Sequence, residues 1–383
     1  DEYKQAMAQP IVLKSAPGTP TGGYAIHGDY VADLARQLLY GVYQDNVYSR
    51  GFNIYTTIKS GDQEAAYKAV REGVLDYTRR APYPGPEETI DLPAGVESDS
   101  NKLDGVLDSL QDKYTDSDDL LVGLVLSASP DKVVVARSSQ EIIDITNKNA
   151  LKVIARGLVK NAKEDVKIQR GSVVYVHKNG DYWEIINKPT VQAAFVSIRP
   201  EDGAIQSMVG GFSYGDDQFN RVTAAWRQPG SSFKPFIYAS TLERGMTPAT
   251  QVSDEPFTLT AEQTGSKPWA PKNYGNSYEP MLTMRQGLYK SKNMVSIRLM
   301  QAVGPKYVQD YITRFGFDRA RNPAVLPLAL GAGAVTPLQL AGGYSVFANG
   351  GYRVLPYLID HITDSSGKVI MQAKPIVAGE AAA

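Results

Sequence analysis

The run GSVVYVHKNGDYWEII, residues 171–186, constrains the fold of this chain more than any other stretch. Two segments rich in β-branched and aromatic residues flank Asn-Gly, the strongest short-range hairpin signal. LLVGLVLSA (120–128) and KVVVARSS (132–139) precede it, so short strand-like segments dominate from about 120 to 190. On both sides the chain mixes helical periodicity with strand-like runs. A small all-β module of barrel or sandwich type therefore sits inside an otherwise mixed chain. Such a sheet can bind oligosaccharide or nucleic acid, but its modest aromatic content favours a spacer.

Ahead of the module, PGTPTGG (17–23) is a loop by its turn chemistry. YVADLARQLLYGVY (30–43) puts Val31, Leu34, Leu38 and Leu39 on one helical face, and FNIYTTI (52–58) reads as a strand. SGDQEAAYKAVREGVLDYTRR (60–80) reads as a helix capped by Asp62, with Ala66, Ala69, Val70, Val74 and Tyr77 as its apolar stripe. APYPGPEE then breaks the pattern. Glu87 to Asp119 holds eleven acids against two lysines, which predicts a solvated, poorly ordered stretch, with an acidic docking surface as the lesser alternative.

After the module, VQAAFVSIRPEDGAIQSMVGG (191–211) is a hairpin around Pro-Glu-Asp-Gly. Helical patterns follow at 232–243, 283–303 and 305–315. In TPLQLAGGYSVFANGG, Thr336 caps a helix, Pro337 opens it, and Gly350 stops it after Asn349. A hairpin, then helices, then strands again predicts an α/β (α+β) domain with an antiparallel sheet.

Bulk properties narrow the function. The 383 residues imply two or three domains, and an apolar share of 43% is ample for packed cores. A net charge of -1 with no basic patch argues against nucleic acid as a partner. The absence of cysteine removes disulfides, thiol nucleophiles and zinc–thiolate sites, and fits an oxidising compartment. His27, His177 and His361 are scattered without ligand spacing, so each reads as a packing or surface residue, and no metal or cofactor is expected. Acyl transfer here would need a base other than histidine. No apolar run approaches 18 residues and no signal-peptide pattern opens the chain. The abrupt start at DEYKQAMAQP reads as a mature or excised piece.

The chemistry concentrates in RQPGSSFKPFIYAS (227–240). A Pro-Gly turn leads into Ser231, and Lys234 follows three residues later, one turn away on the same helical face. The partial positive charge and free N–H groups of a helix N-terminus suit a serine that must become an alkoxide. Burial lowers a lysine pKa, so a neutral Lys234 can act as general base. The competing reading is a plain helix cap. Two further Ser-x-x-Lys spacings, Ser129 to Lys132 and Ser365 to Lys368, fall at a proline and in a turn. The second element is KSKNMVSIRLM (290–300), which holds the sole Ser-x-Asn of the sequence, Ser291 and Asn293, at the junction of two helical segments. A hydroxyl there can relay a proton between base and leaving amine, and an asparagine amide suits a peptide-like substrate. Trp226, Trp269 and Tyr274 lie near these motifs and either line a cleft or simply pack.

Ser-x-x-Lys together with Ser-x-Asn marks serine β-lactamases and penicillin-binding proteins. AAWRQPGSSFKPFIYAS resembles the acylation site of a class A, type 1a penicillin-binding protein, and so do PWAPKNYGNSYEPMLTMRQGLYKSKN, SIRPEDGAIQSMVGG and LGAGAVTPLQLAGGYSVFANGGYRV. FNIYTTIKSGDQEAAYKAV resembles that family's linker, and the β module its oligonucleotide-binding-like insertion. The resemblance implies a penicillin-binding-protein or serine β-lactamase-like transpeptidase fold with a barrel-like module. The expected parts are residues 1–15 as the tail of a glycosyltransferase domain, 16–85 as linker and start of the transpeptidase domain, 86–190 as acidic segment and β module, and 191–383 as transpeptidase domain.

By the same resemblance Ser231 is acylated, Lys234 is its base, Ser291 relays the proton and Asn293 holds the substrate amide. The implied partners are peptidoglycan stem peptides ending in D-Ala-D-Ala, nascent glycan strands, β-lactams as covalent inhibitors, and other cell-wall proteins. The implied place is the periplasmic face of the bacterial inner membrane, with an anchor in the parent protein. A β-lactamase or DD-carboxypeptidase, and a non-catalytic scaffold, are the alternatives. Two departures stand out. The glycosyltransferase motifs are missing, so no glycan polymerisation is expected of this piece. The third family box, Lys-[Ser/Thr]-Gly, occurs only as Lys59-Ser60-Gly61, a turn ahead of Asp62; the real box is expected beyond Ala383. Loss of the oxyanion donor on that strand would lower the rate about 100- to 1,000-fold.

Overall fold

A computed structural model describes residues 26–265 and 267–380. The loop at 17–23 and the expected tail at 1–15 lie outside these residues. The chain divides into two compact units, one comprising chiefly residues 63–194 with 211–218, the other 30–62, 195–210 and 219–383.

The first unit is built on a six-stranded antiparallel sheet. Its order is Glu88–Thr89, Ser172–Asn179, Leu120–Ser129, Lys132–Ala136 and Ile142–Ile145, with Tyr182–Ile185 pairing to the second of these. The Asn179–Tyr182 pairing closes the hairpin that Asn-Gly announces. Both faces of the sheet are covered. Val125, Val133, Val135, Ile145, Val174 and Val176 pack on one face of the sheet, while Leu120, Val122 and Leu124 on the other join the apolar residues of helices. This is why LLVGLVL is nearly continuous in apolar residues rather than alternating.

Those helices correct two expectations. The acidic stretch is ordered. Ser100–Gln111 is a helix capped by the Asp99 side chain, with Leu103, Leu107 and Leu110 buried at i, i+4 and i+7. Acids of the stretch are paired with cations, Glu97 with Arg170, Glu88 with Lys113 and Asp116 with Arg137. The charge count hid a narrow stripe of leucines. The helix at 60–80 runs from Ser60 to Arg79, so Asp62 lies in its first turn rather than at the cap. Its buried stripe includes Ala66, Val70 and Val74 but replaces Ala69 and Tyr77 by Arg71 and Leu75. Arg71 is buried because its guanidinium is fully occupied. It meets Asp119 Oδ1, donates to the carbonyls of Ser117 and Phe212, and lies 4.0 Å from the centre of the Phe212 ring.

In the second unit, Asn53–Thr56, Ile359–Thr363 and Val369–Gln372 form an antiparallel sheet. The hairpin Phe195–Ile198 and Ile205–Val209 joins it through the Ala204–Tyr357 bridge and the bond from Ile205 N to Tyr357 O at 3.0 Å. The helix Asp29–Tyr43 buries Tyr30, Val31, Ala35 and Leu39, whereas Leu38 is 48% exposed. The i, i+4 register through Val31, Ala35 and Leu39 wins over the one through Leu34 and Leu38, which instead border an apolar groove with Ile205 and Met371. Helices Lys234–Glu243, Asn293–Val303 and Pro305–Ile312 pack around Phe233, Phe236, Ile297, Met300 and Ile312. Thr336 forms a capping box with Gln339, Pro337 opens the helix to Ala348, and Gly350 follows at φ 86°. The spare Ser-x-x-Lys spacings are turns between strands, at Ser129–Lys132 and at 364–368.

Candidate active site

The site begins at a backbone turn. Gly230 takes φ 57°, a left-handed conformation that favours glycine, and starts a 3₁₀ turn over Gly230–Phe233 that runs into the helix Lys234–Glu243. The Lys234 N–H donates to Ser231 O, a bond spanning three residues. In such a turn the side chains at i and i+3 eclipse, so Ser231 and Lys234 project from one edge more directly than an α-helix would allow. Phe233 and Phe236, both fully buried, anchor the turn in an aromatic cluster with Phe315 and Phe317. Ser231 and Ser232 stay exposed. The plain-cap reading of Ser231 does not describe this helix, whose cap position is Phe233 with no side-chain cap bond.

A second segment buttresses the turn. Arg227 and Val335 exchange both backbone hydrogen bonds at 3.0 Å, and Gly230 N donates to Gly331 O at 3.4 Å. A Cβ on Gly331 would stand 2.2 Å from Gly230 O, so only glycine fits. Tyr344 donates its hydroxyl proton to Ser232 O at 2.7 Å.

Lys234 is 1% exposed, and burial lowers its pKa from 10.5 to about 8. Its Nζ makes three hydrogen bonds, to Ser291 O at 2.6 Å, Ser291 Oγ at 3.1 Å and Asn293 Oδ1 at 2.7 Å. None goes to Ser231. Two partners are carbonyl oxygens that can only accept, so they fix two N–H directions. The third is a hydroxyl, which can turn and donate to the lone pair once the amine is neutral. The cluster therefore accommodates both protonation states.

Ser291 and Asn293 reach Lys234 because the chain kinks between two helices, Met284–Tyr289 and Asn293–Val303. Ser291 takes φ 53°, which costs a non-glycine residue about 1–2 kcal/mol. The kink turns both its carbonyl and its hydroxyl toward Nζ. Asn293 Nδ2 donates to Lys272 O at 2.7 Å, which directs Oδ1 at the lysine and leaves one amide proton unassigned. Of the four side chains named from sequence, Lys234, Ser291 and Asn293 meet directly, and Ser231 lies one eclipsed turn away.

Sequence reasoning missed Asn273, Asp254 and Lys292, which tie this loop down. Asn273 Oδ1 accepts the backbone N–H of Asn293 at 2.8 Å and of Met294 at 3.2 Å, and Lys292 pairs with Asp254 at 2.8 Å. The signal available was the lysine inside Ser-Lys-Asn, between the two residues singled out from the sequence. The aromatic residues divide. Trp269 packs edge-on against Phe257, Trp226 lies under the Arg321 guanidinium at 3.8 Å, and Tyr274 is 98% exposed. The histidines lie apart, His27 against Glu64, His177 against Glu184 and His361 against Asp360.

Comparison with known proteins places the whole chain beside one family. Residues 193–382 match the penicillin binding protein transpeptidase domain, and residues 83–191 the penicillin-binding protein OB-like domain. The chain is 42% identical over 351 residues to penicillin-binding protein 1A of Neisseria flavescens, covering 92% of this chain and 43% of that protein. It is 36% identical over 380 residues to penicillin-binding protein 1A of Pseudomonas aeruginosa, covering 97% and 44%. The chain thus spans less than half the length of these relatives. It is also similar to the crystal structure of penicillin-binding protein 1A from Haemophilus influenzae, with a TM-score of 0.83 and 33% identity over 98% of this chain and 53% of that one.

Proposed function

This chain belongs to the penicillin-binding proteins, as their transpeptidase domain with its OB-like module, and from that premise we propose that it works as a serine DD-transpeptidase in peptidoglycan cross-linking. The observation that carries the proposal is the buried Lys234 amine ringed by Ser291 and Asn293, one 3₁₀ turn from the exposed Ser231.

In the first step Ser231 Oγ attacks the carbonyl of the penultimate D-alanine, and its proton passes to the neutral Lys234 Nζ. An ester forms. The peptide C–N bond breaks, and the proton moves through Ser291 Oγ to the departing D-alanine amine. In the second step the amine of a neighbouring stem peptide attacks the ester, gives up a proton by the reverse route, and restores the serine. Asn293 Nδ2 has one proton left for a substrate carbonyl. A β-lactam would follow the first step and stall at the second.

The proposed division of the chain is a linker with the start of the transpeptidase domain over 16–85, the β module with its acidic helix over 86–190, and the transpeptidase domain over 191–383. The proposed place of action is the periplasmic face of the inner membrane; no helix among the described residues is long and apolar enough to cross a membrane. The proposed partners are stem peptides and glycan strands.

The test uses the full-length protein, with a D-Ala-D-Ala pentapeptide and a stem-peptide amine acceptor. Released D-alanine matched by cross-linked product supports the proposal. Release matched by the free tetrapeptide indicates a carboxypeptidase, and no release refutes acyl transfer.

A further inference from the structure

Beneath the Ser291 kink lies a buried polar network that the chemistry above does not use. Asp254, fully buried, follows the strand Gln251–Ser253. Its Oδ2 meets Lys292 Nζ at 2.8 Å and accepts the Glu279 N–H at 3.1 Å, while its Oδ1 accepts from Asn273 Nδ2 at 2.8 Å. Asn273, 4% exposed, also donates to Ser277 O at 2.9 Å, and Lys292, 7% exposed, donates to the same carbonyl at 3.1 Å. Arg298, on the helix that starts at Asn293, binds the carbonyls of Ser253 and Glu255 at 3.2 and 2.7 Å. The segment bearing Asp254 is thereby tied to the helix it supports.

Apolar residues of the same volume would stabilise such a region about as well as a buried ion pair does. What the network adds is geometric. The helix Asn293–Val303 has no side-chain cap of its own at Lys292. Its cap is Asn273, twenty residues earlier, whose Oδ1 takes the first two N–H groups. The adjacent carbonyl of Lys272 takes Asn293 Nδ2. One short segment therefore sets both the backbone and the amide orientation of Asn293, and the chain between Gly287 and Asn293 passes through the left-handed turn at Ser291, with the Lys292 N–H on Gly287 O at 2.9 Å.

We propose that Asp254, Asn273 and Lys292 are positioning residues, which hold Ser291 and Asn293 in the one arrangement that surrounds and dries the Lys234 amine. The proposal rests on the reading of Lys234 as the base. It predicts that loosening the network admits water to the amine, so that the amine holds its proton to higher pH.

The test measures the rate of covalent labelling by a fluorescent benzylpenicillin between pH 6 and 10, on the full-length protein. For Asn273→Ala, the label stays on Ser231, the rate at pH 7 falls 10- to 100-fold, and the inflection of the pH profile moves upward. A lower melting temperature with an unchanged inflection means that the network is merely structural and overturns the proposal. Should Asn273→Ala not fold, the double variant Asp254→Asn/Lys292→Met removes the ion pair without stranding a charge. The same slowing and upward shift are expected of it, and a profile identical to that of the unsubstituted protein overturns the proposal. Absence of label on Ser231 in the unsubstituted protein is a separate result, which sinks the transpeptidase reading and this inference with it.

Discussion

The rate of acylation should follow the deprotonation of one buried amine. Burial moves Lys234 from 10.5 to about 8. At pH 7 about 10% of the amine is then neutral, against about 0.03% for an ordinary lysine, so the free base is about 300-fold more abundant. The second-order rate constant for labelling by a fluorescent penicillin should rise nearly tenfold per pH unit from 6, bend near 8 and level off above 9. The whole span should be about 100-fold. Lys234→Arg keeps a positive charge at every accessible pH and removes the base, so its rate should fall about 10²- to 10⁴-fold and lose the inflection. Stability carries the same titration with a known sign. The folded state binds this proton more weakly than the unfolded chain, so folding is penalised at low pH and the penalty lifts as pH rises from about 8 to 10.5. That lift is about 3 kcal/mol, visible in urea melts. A labelling rate that is flat from pH 6 to 9, or that bends only near 10.5, would refute a neutral lysine base.

Three other perturbations probe the scaffold. Gly331→Ala places a Cβ against Gly230 O and at φ +70°, displacing the Ser231 turn; labelling should slow about 10²-fold, and an unchanged rate would show that the turn is not buttressed there. Arg71→Met strands the carbonyls of Ser117 and Phe212 and should lower stability by about 3–5 kcal/mol in chemical denaturation; a loss under 1 kcal/mol contradicts its role as a hub. Burial disfavours charge on His177, but its bonds to Asp119 and Glu184 outweigh that and raise its pKa from 6.5 to about 8. It therefore contributes about 2 kcal/mol that is fully present below pH 6.5 and lost as pH rises through 8; His177→Asn should abolish that slope in denaturation midpoints.

Local chemistry made much of this legible in the sequence. Asn-Gly at 179–180 and Thr336-Pro337 with Gly350 act over a few residues, and the hairpin and the helix fall where those signals put them. Ser231 with Lys234 and Ser291 with Asn293 stood out because each pair is close in sequence. Long-range partners left weaker traces. Arg71 looks like a surface residue until Ser117, Asp119 and Phe212 are brought round it. Leu103, Leu107 and Leu110 were outweighed by the acids between them, since a charge count ignores direction. Asn273 supports Asn293 from twenty residues away, which no local pattern reports. The eclipsed 3₁₀ start of the Lys234 helix was likewise hidden, because Pro-Gly-Ser-Ser is compatible with either helix type.

The central claim is that Ser231 becomes the ester-forming oxygen. Incubating the full-length protein with benzylpenicillin, followed by proteolysis and mass spectrometry, tests it most directly. The account predicts one adduct, with the mass of the intact antibiotic, on the peptide containing Ser231, and none in Ser231→Ala. An adduct on any other peptide, or one that persists in Ser231→Ala, would contradict it.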